Sequence, residues 1–150
     1  MAAIARVREE DLDELLSLMR AYCDFYGVDP SDADLLNMSR ALLADDEREG
    51  LQLLARDDSG RAVGFATIFW SWSTLRAARV GVMNDLFVEA AARGSGLADE
   101  LIAACADCCR RRGAASLGWQ TAKDNHRAQA VYERVGATRA QWLDYTLELS

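Results

Sequence analysis

The segment Asp85-Leu86-Phe87-Val88-Glu89-Ala90-Ala91-Ala92-Arg93-Gly94-Ser95-Gly96-Leu97-Ala98 reads as a strand, a glycine loop and the start of a helix. That order suits an anion. The first N–H groups of a helix lack intrahelical acceptors, the helix dipole adds partial positive charge, and glycine lets a phosphate approach with no Cβ in its way. A diphosphate fits such a turn. The segment is not a Walker loop, because no Gly-Lys-Ser or Gly-Lys-Thr follows. Nor is it a dinucleotide fingerprint: Gly94 and Gly96 are correctly spaced, but Asp99 stands where the third glycine belongs and no early strand precedes them. A tight turn without a ligand is the alternative that this segment alone leaves open.

Other residue types capable of chemistry are sparse. Cys105, Cys108 and Cys109 share a helical pattern with Leu101, Ile102 and Ala106, and positions three and four apart lie on one helix face, so they read as small apolar core filler. A metal site would need a second Cys or His pair at ligand spacing, and His126 is the only histidine. We expect no metal.

The elements that must position the loop follow from periodicity. Ala3 to Arg8 alternates and predicts a first strand. From Glu9 to Tyr26 the residues Leu12, Leu15, Leu16, Met19, Tyr22, Cys23 and Tyr26 recur at helical steps, and Gly27 ends the run. Ser31 and Asp34 have capping-box spacing after Pro30, predicting a second helix from Ser31 to Asp45. Leu51 to Arg56 and Ala62 to Ser73 predict a hairpin across Asp57-Asp58-Ser59-Gly60. Val80 to Val88 predicts a fourth strand, Leu97 to Arg112 a long helix, Ser116 to Thr121 a fifth strand and Asn125 to Val135 a last helix. Leu143, Tyr145, Leu147 and Leu149 alternate with polar residues as a terminal strand. The fold class is therefore α/β in the α+β sense: a mixed sheet, antiparallel at its start, with helices on both faces and one right-handed parallel crossover.

Composition narrows the function classes. At 150 residues, with 51% hydrophobic and 27% charged residues, the chain has the size and make-up of one packed domain over residues 1–150. The formal net charge of -7 argues against a phosphate-backbone binder, so no nucleic-acid partner is expected, and it suits a cationic substrate better. No apolar run is long enough to span a membrane and the N-terminus has no leader pattern, which predicts a cytoplasmic protein without a membrane partner.

Arg93, Gly96 and Ala98 match the Arg-x-x-Gly-x-Gly/Ala pattern of the GNAT superfamily of N-acetyltransferases, preceded by a Leu-Phe-Val strand end. Asn125, Ala128, Tyr132 and Gly136 resemble that family's Asn-x-x-Ala-x-x-x-Tyr-x-x-x-Gly helix. The resemblance is strong over Asp85 to Ala137, and the opening helix pair agrees with it in layout. It implies a centrally splayed sheet of about six or seven strands and acetyl-coenzyme A as co-substrate. The main chain of Leu86, Phe87 and Val88 would then pair with the pantetheine arm as an added strand does. Gly94, Ser95, Gly96, Leu97 and Ala98 would hold the diphosphate, with Arg93 ordering the loop and offsetting charge. Asn125 would bond the coenzyme near its thioester end, with a helix N-cap role as well, and Ala128 would also contact the coenzyme.

The same resemblance makes Tyr132 the candidate general acid, its alternative being a core aromatic. A phenol of pKa ~10 donates usefully to a leaving thiolate whose conjugate acid has pKa ~8.5. An alkylammonium of pKa ~10.4 must lose a proton before it attacks. Asp85 and Glu89 flank the expected thioester position and are candidates for proton removal or for holding the cation; an exposed or capping carboxylate is the other reading of Glu89. A backbone N–H of the fourth strand would meet the oxyanion.

The acceptor site is expected between the opening helix pair and the splayed strands, which carry Tyr22, Asp24, Tyr26, Asp29 and Asp32, with Trp70 and Trp72 from the third strand. Aromatic faces beside carboxylates suit an ammonium, and core aromatics with a solvated acidic loop are the alternative. Asn84-Asp85-Leu86-Phe87-Val88 resembles the fourth strand of diamine acetyltransferases, except that Asn84 replaces an acidic residue common there. The expected activity is transfer of acetyl to a primary amine of a small molecule by direct attack in a ternary complex. Acetylation of a protein N-terminus or lysine, and a non-catalytic acyl-coenzyme A sensor, are the alternatives. Exposed strand edges make a homodimer a further expectation.

Overall fold

The computed structural model describes residues 3–150; Met1 and Ala2, part of the N-terminus read above for a leader, lie outside them. In chain order it contains β1 (Ala3–Arg6), a 3-10 turn (Glu9–Asp11), α1 (Leu12–Phe25), α2 (Asp32–Ala44), β2 (Gly50–Arg56), β3 (Ala62–Ser73) and β4 (Ala78–Val88). A second 3-10 turn (Ala90–Ala92), α3 (Leu97–Arg111), β5 (Leu117–Gly118) and α4 (His126–Arg134) follow. These elements fall into two compact units, Met1–Gln120 and Thr121–Ser150.

The first unit holds a sheet of five strands in the order β1-β2-β3-β4-β5. Its first three pairings are antiparallel and β4 pairs with β5 in parallel, across the connection that contains α3. The β2–β3 turn forms as its sequence requires: the Asp57 carboxylate accepts from the Ser59 and Arg61 main-chain N–H groups at 3.0 and 3.1 Å.

Leu54, Phe65 and Phe87 pack on one face of the sheet with Leu12, Leu15, Leu18 and Met19 of α1, and α2 adds Leu35, Leu36 and Leu43 at the margin. Successive strand residues point to opposite faces. Gly64 and Gly81 accordingly look toward α3: a Cβ on Gly64 would lie 3.4 Å from Leu101, and one on Gly81 only 2.5 Å from the Cys109 sulfur. The helices thus cover both faces. All four cysteines are buried and free, and burial pushes the Cys109 thiol up to about 11, which fits inert filler.

β4 is not regular. Thr67 lies opposite Asp85 and Ile68 opposite Met83, so Asn84 is an extra residue on β4, a β-bulge. Unbroken alternation would put Met83, Asp85 and Phe87 on one face. With the bulge, Met83 shares a face with Ile68 toward α3, while Asp85 and Phe87 turn toward α1.

In the second unit Asn125 caps α4, its side chain accepting from the Ala128 N–H at 3.1 Å. Gly136 (φ +88°) closes the helix: the Ala137 N–H donates to the Tyr132 carbonyl and the Gly136 N–H to the Glu133 carbonyl, both at 3.1 Å. The terminal strand expected at Leu143 to Leu149 is not formed, so the described sheet has five strands instead of six or seven. Alternation gives a segment the side-chain pattern of a strand but not a hydrogen-bonding neighbour, and residues 121–150 contain no strand to supply one.

Candidate active site

The glycine loop is built on the end of β4. Arg93 donates from Nε to the Val88 carbonyl at 2.8 Å and its guanidinium lies 5.9 Å from the Phe87 ring centre, fastening the loop to the strand. Ser95 Oγ donates to the Ala92 carbonyl at 2.7 Å. Gly94 and Gly96 have φ of +83° and +84°, the left-handed region, and no side chain caps the first turn of α3. A Cβ on either would meet nothing within 4 Å. Internal packing therefore does not demand glycine at these positions; the backbone conformation does, and the result is a turn with open space before it. Leu97 anchors the helix start in the core.

Beside this loop β4 presents main chain. Leu86, Phe87 and Val88 pair on one edge with Ala66, Phe65 and Gly64 of β3. Pairing with β5 occurs only at Gly81 and Val82, so among the described residues β4 and β5 part company before the bulge. That is the splay, and it leaves the β5-side edge of Leu86–Val88 without a strand partner.

Asp85 sits just past the bulge, 7% exposed. It takes hydrogen bonds from Thr67, Tyr22 and Asn84, the last at 3.0 Å from Nδ2 to Oδ1. Among the described residues it forms no ion pair. Burial holds its pKa above the usual carboxylate range, and the three donors offset this only in part. Burial, followed by the nearby Asp85 charge, likewise raises the Tyr22 phenol. Tyr22 sets its ring 5.0 Å from Tyr26, 5.8 Å from Phe65 and 6.1 Å from Phe87, between ring centres.

Glu89 is placed differently. Its carboxylate forms an ion pair with Arg61, and its N–H donates to the Val63 carbonyl at 2.9 Å. Its charge is thus already met by a guanidinium, and its side chain makes no cap hydrogen bond to the turn that follows. Asp29 and Asp32 are tied to Arg20 at 2.9 and 2.7 Å, so they brace the α1–α2 connection.

The tryptophans do not join the tyrosines. Trp70 is 8% exposed, donates from its indole N–H to the Asp46 carbonyl at 2.8 Å and is covered by the Arg112 guanidinium. Its partner across the sheet is Gly81, which puts it on the α3 face and corrects the expectation that it lines the acceptor site. Trp72 is 70% exposed beneath Arg79, two residues along the same face and likewise away from Tyr22 and Tyr26. Period-two alternation alone separates these faces, since Trp70 and Trp72 share parity with Ile68 and not with Thr67.

On α4, Asn125, Ala128 and Tyr132 are spaced by three and four residues and share one face of the helix. Gln129 holds the preceding turn, donating to the Ala122 and Lys123 carbonyls at 3.0 and 2.9 Å.

One feature was invisible to pattern reading. Gln52, Thr67 and Asp85 stand opposite one another across β2, β3 and β4, a polar row through a buried sheet face. Gln52 and Thr67 are lone polar residues in apolar runs and Asp85 forms a polar pair with Asn84, which was the available signal; the register that aligns them was not.

The family model for the Acetyltransferase (GNAT) family matches residues 12–137. The chain is 29% identical to the uncharacterized N-acetyltransferase YhfO of Bacillus subtilis (strain 168) over 133 residues, which is 89% of this chain and 87% of that protein. Over a shorter stretch of 78 residues, 52% of this chain and 48% of the relative, it is 33% identical to the D-amino-acid N-acetyltransferase HPA3 of Saccharomyces cerevisiae. The crystal structure of a probable acetyltransferase superposes with a TM-score of 0.85 at 31% identity, covering 99% of this chain and 98% of that one. A splayed β4, an uncapped glycine turn and a family match that runs through both place the chain in the GNAT family of acetyltransferases.

Proposed function

We propose that the chain moves an acetyl group from acetyl-coenzyme A to a primary amine of a small molecule, by direct attack in a ternary complex, and that residues 1–150 act as one domain. The single-domain reading is supported by the family match, which continues across both compact units. The observation that carries the coenzyme is the turn at Gly94–Leu97: two left-handed glycines and an uncapped helix start, with nothing within 4 Å of where a Cβ would stand. Such a turn offers main-chain N–H groups to a diphosphate. The unpaired edge of Leu86–Val88 offers a strand-like neighbour to the pantetheine amides.

The coenzyme supplies an activated thioester. Asp85 takes a proton from the acceptor ammonium, directly or through water, and becomes the neutral acid; the amine nitrogen then has a lone pair for the carbonyl carbon. A main-chain N–H of β4 at the bulge meets the carbonyl oxygen as charge builds there. As the carbon–sulfur bond breaks, Tyr132 gives its phenolic proton to the departing sulfur, and the second proton, shed by the nitrogen as it becomes an amide, returns through water to the Tyr132 phenolate. Asn125 holds the thioester end while capping α4, and Ala128 leaves room on the same helix face. A buried carboxylate with neutral donors and, among the described residues, no ion pair, beside the Tyr22 and Tyr26 rings, suits a cationic amine. The relative named for D-amino acids is consistent with a small acceptor.

A panel of small amines read by thiol release tests this. Steady release dependent on both substrates is expected with at least one amine. Coenzyme binding without release across alkyl, aryl, amino-acid and peptide amines would favour the acyl-coenzyme A sensor.

A further inference from the structure

We propose that Thr67, itself held by Gln52, is a positioning residue that fixes the orientation and proton affinity of the Asp85 carboxylate, an inference that rests on the role of Asp85 proposed above.

The geometry is a chain of donors with one direction. Gln52 Nε2 donates to Thr67 Oγ1 at 3.1 Å. The Thr67 hydroxyl proton is then left for its cross-strand partner Asp85, with which it is hydrogen-bonded. The same Gln52 amide nitrogen lies 3.8 Å from the Met19 sulfur, and Ser39 Oγ donates to that sulfur at the same distance, which locks the head of the chain between α1, α2 and β2. Among the described residues, four of the five buried polar ones, Ser39, Gln52, Thr67 and Asp85, belong to this one assembly.

Burying that many polar groups in an apolar layer adds little net stability, because apolar side chains of similar volume fill such space without a desolvation cost. What the row does provide is a fixed carboxylate. Asn84, displaced by the bulge, holds one oxygen from the strand itself, and Tyr22 donates from α1. Among the described residues, the other titratable groups near Asp85 are the Cys23 thiol of α1 and, through Tyr22, the Tyr26 phenol. The Arg93 guanidinium is engaged with the neighbouring Phe87 ring, 5.9 Å from its centre, and with the Val88 carbonyl. Hydroxyl and amide donors therefore tune this carboxylate. They favour the charged form without neutralising it, leaving its charge for the acceptor.

Two readouts test the proposal, one of them independent of catalysis. The first is the Asp85 carboxyl titration by carbon NMR in the ligand-free protein, assigned with Asp85→Asn. The second is the acid limb of kcat/KM for the best amine. Thr67→Val keeps the branched shape and deletes the hydroxyl; Gln52→Met deletes the amide at similar length, so either variant tests the row if the other fails to fold. In Thr67→Val both midpoints should rise by about one pH unit, the size expected for losing one hydrogen bond to a charged group. Gln52→Met should give a smaller rise, and Thr67→Ser should restore both midpoints. A packing role alone would lower the melting temperature and leave the midpoints in place, and unmoved NMR midpoints in folded Thr67→Val and Gln52→Met overturn the proposal. An NMR midpoint that moves while the kinetic limb does not would show that Asp85 is not the base; that outcome also overturns the positioning of a catalytic group, while acetyl transfer itself stands.

Discussion

Asp85 must be buried enough to hold its proton and polar enough in its surroundings to release it. Its pKa is raised, so between the ordinary carboxyl value of ~3.9 and the folded value the native state binds more proton than the unfolded chain. Stability from this group is thus present at low pH and is lost as pH rises through the folded pKa. Asp85→Asn, which cannot charge, should therefore gain stability relative to the unmodified chain as pH rises across that window. Urea unfolding at a series of pH values measures this, and a difference that stays constant with pH would refute it. The same substitution should lower kcat/KM by about 10²- to 10⁴-fold, the usual contribution of a positioned base. At the other end of the reaction, Tyr132→Phe should lower turnover and leave acetyl-coenzyme A affinity nearly unchanged. Unaltered turnover, with chemistry shown to be rate-limiting, would remove Tyr132 from the mechanism.

At the scale of elements, glycines of two kinds are distinguishable. Gly81 is a packing glycine, because a Cβ there would lie 2.5 Å from the Cys109 sulfur. Gly81→Ala should cost about 1–3 kcal/mol by overpacking and leave coenzyme affinity of the folded protein intact. Gly94 is a conformational glycine facing open space, so Gly94→Ala should cost only about 1–2 kcal/mol of left-handed strain while weakening coenzyme binding. Thermal unfolding paired with calorimetric titration separates the two, and equal effects on affinity would deny the turn its role. A second element-level staple is Arg56 of β2, which holds Asp11 and Glu14 beside α1 at 2.9 and 2.8 Å. Burial pushes Asp11 upward, but hydrogen bonds from the Arg8 main chain and from the Arg8 and Arg56 side chains outweigh it and hold the carboxyl below its usual range. That contribution is present above the unfolded pKa and is lost as pH falls through the folded one. Arg56→Met should cost about 1–3 kcal/mol at neutral pH and progressively less below pH ~4. A loss independent of pH would assign the effect to packing.

For the whole molecule, helices and hairpins were legible wherever a local rule governs them. The Asn125 cap, the Gly136 stop and the Ser31 cap each depend on a few neighbouring residues, and α4 and α2 begin or end where those residues stand. The glycine loop was legible for the same reason. What alternation could not supply was register. A single unpaired residue, Asn84, reverses the faces of Met83 and Asp85, and only the alignment of β2, β3 and β4 brings Gln52, Thr67 and Asp85 into one row. Trp70 was misplaced by composition: an aromatic in a strand looks like a substrate platform until its face is known, and this one is core. The terminal alternation at Leu143–Leu149 shows the converse limit, a strand pattern with no partner strand in its own unit.

The central claim is that bare main-chain amides around Ser95 grip a diphosphate. Calorimetry comparing coenzyme A with pantetheine, which shares the thiol arm and lacks the diphosphate, tests it most directly. Coenzyme A should bind at one site, with pantetheine weaker by roughly tenfold or more, since charge-assisted hydrogen bonds to the phosphates are lost. Equal affinities, or no uptake of coenzyme A by well-folded protein, would contradict it.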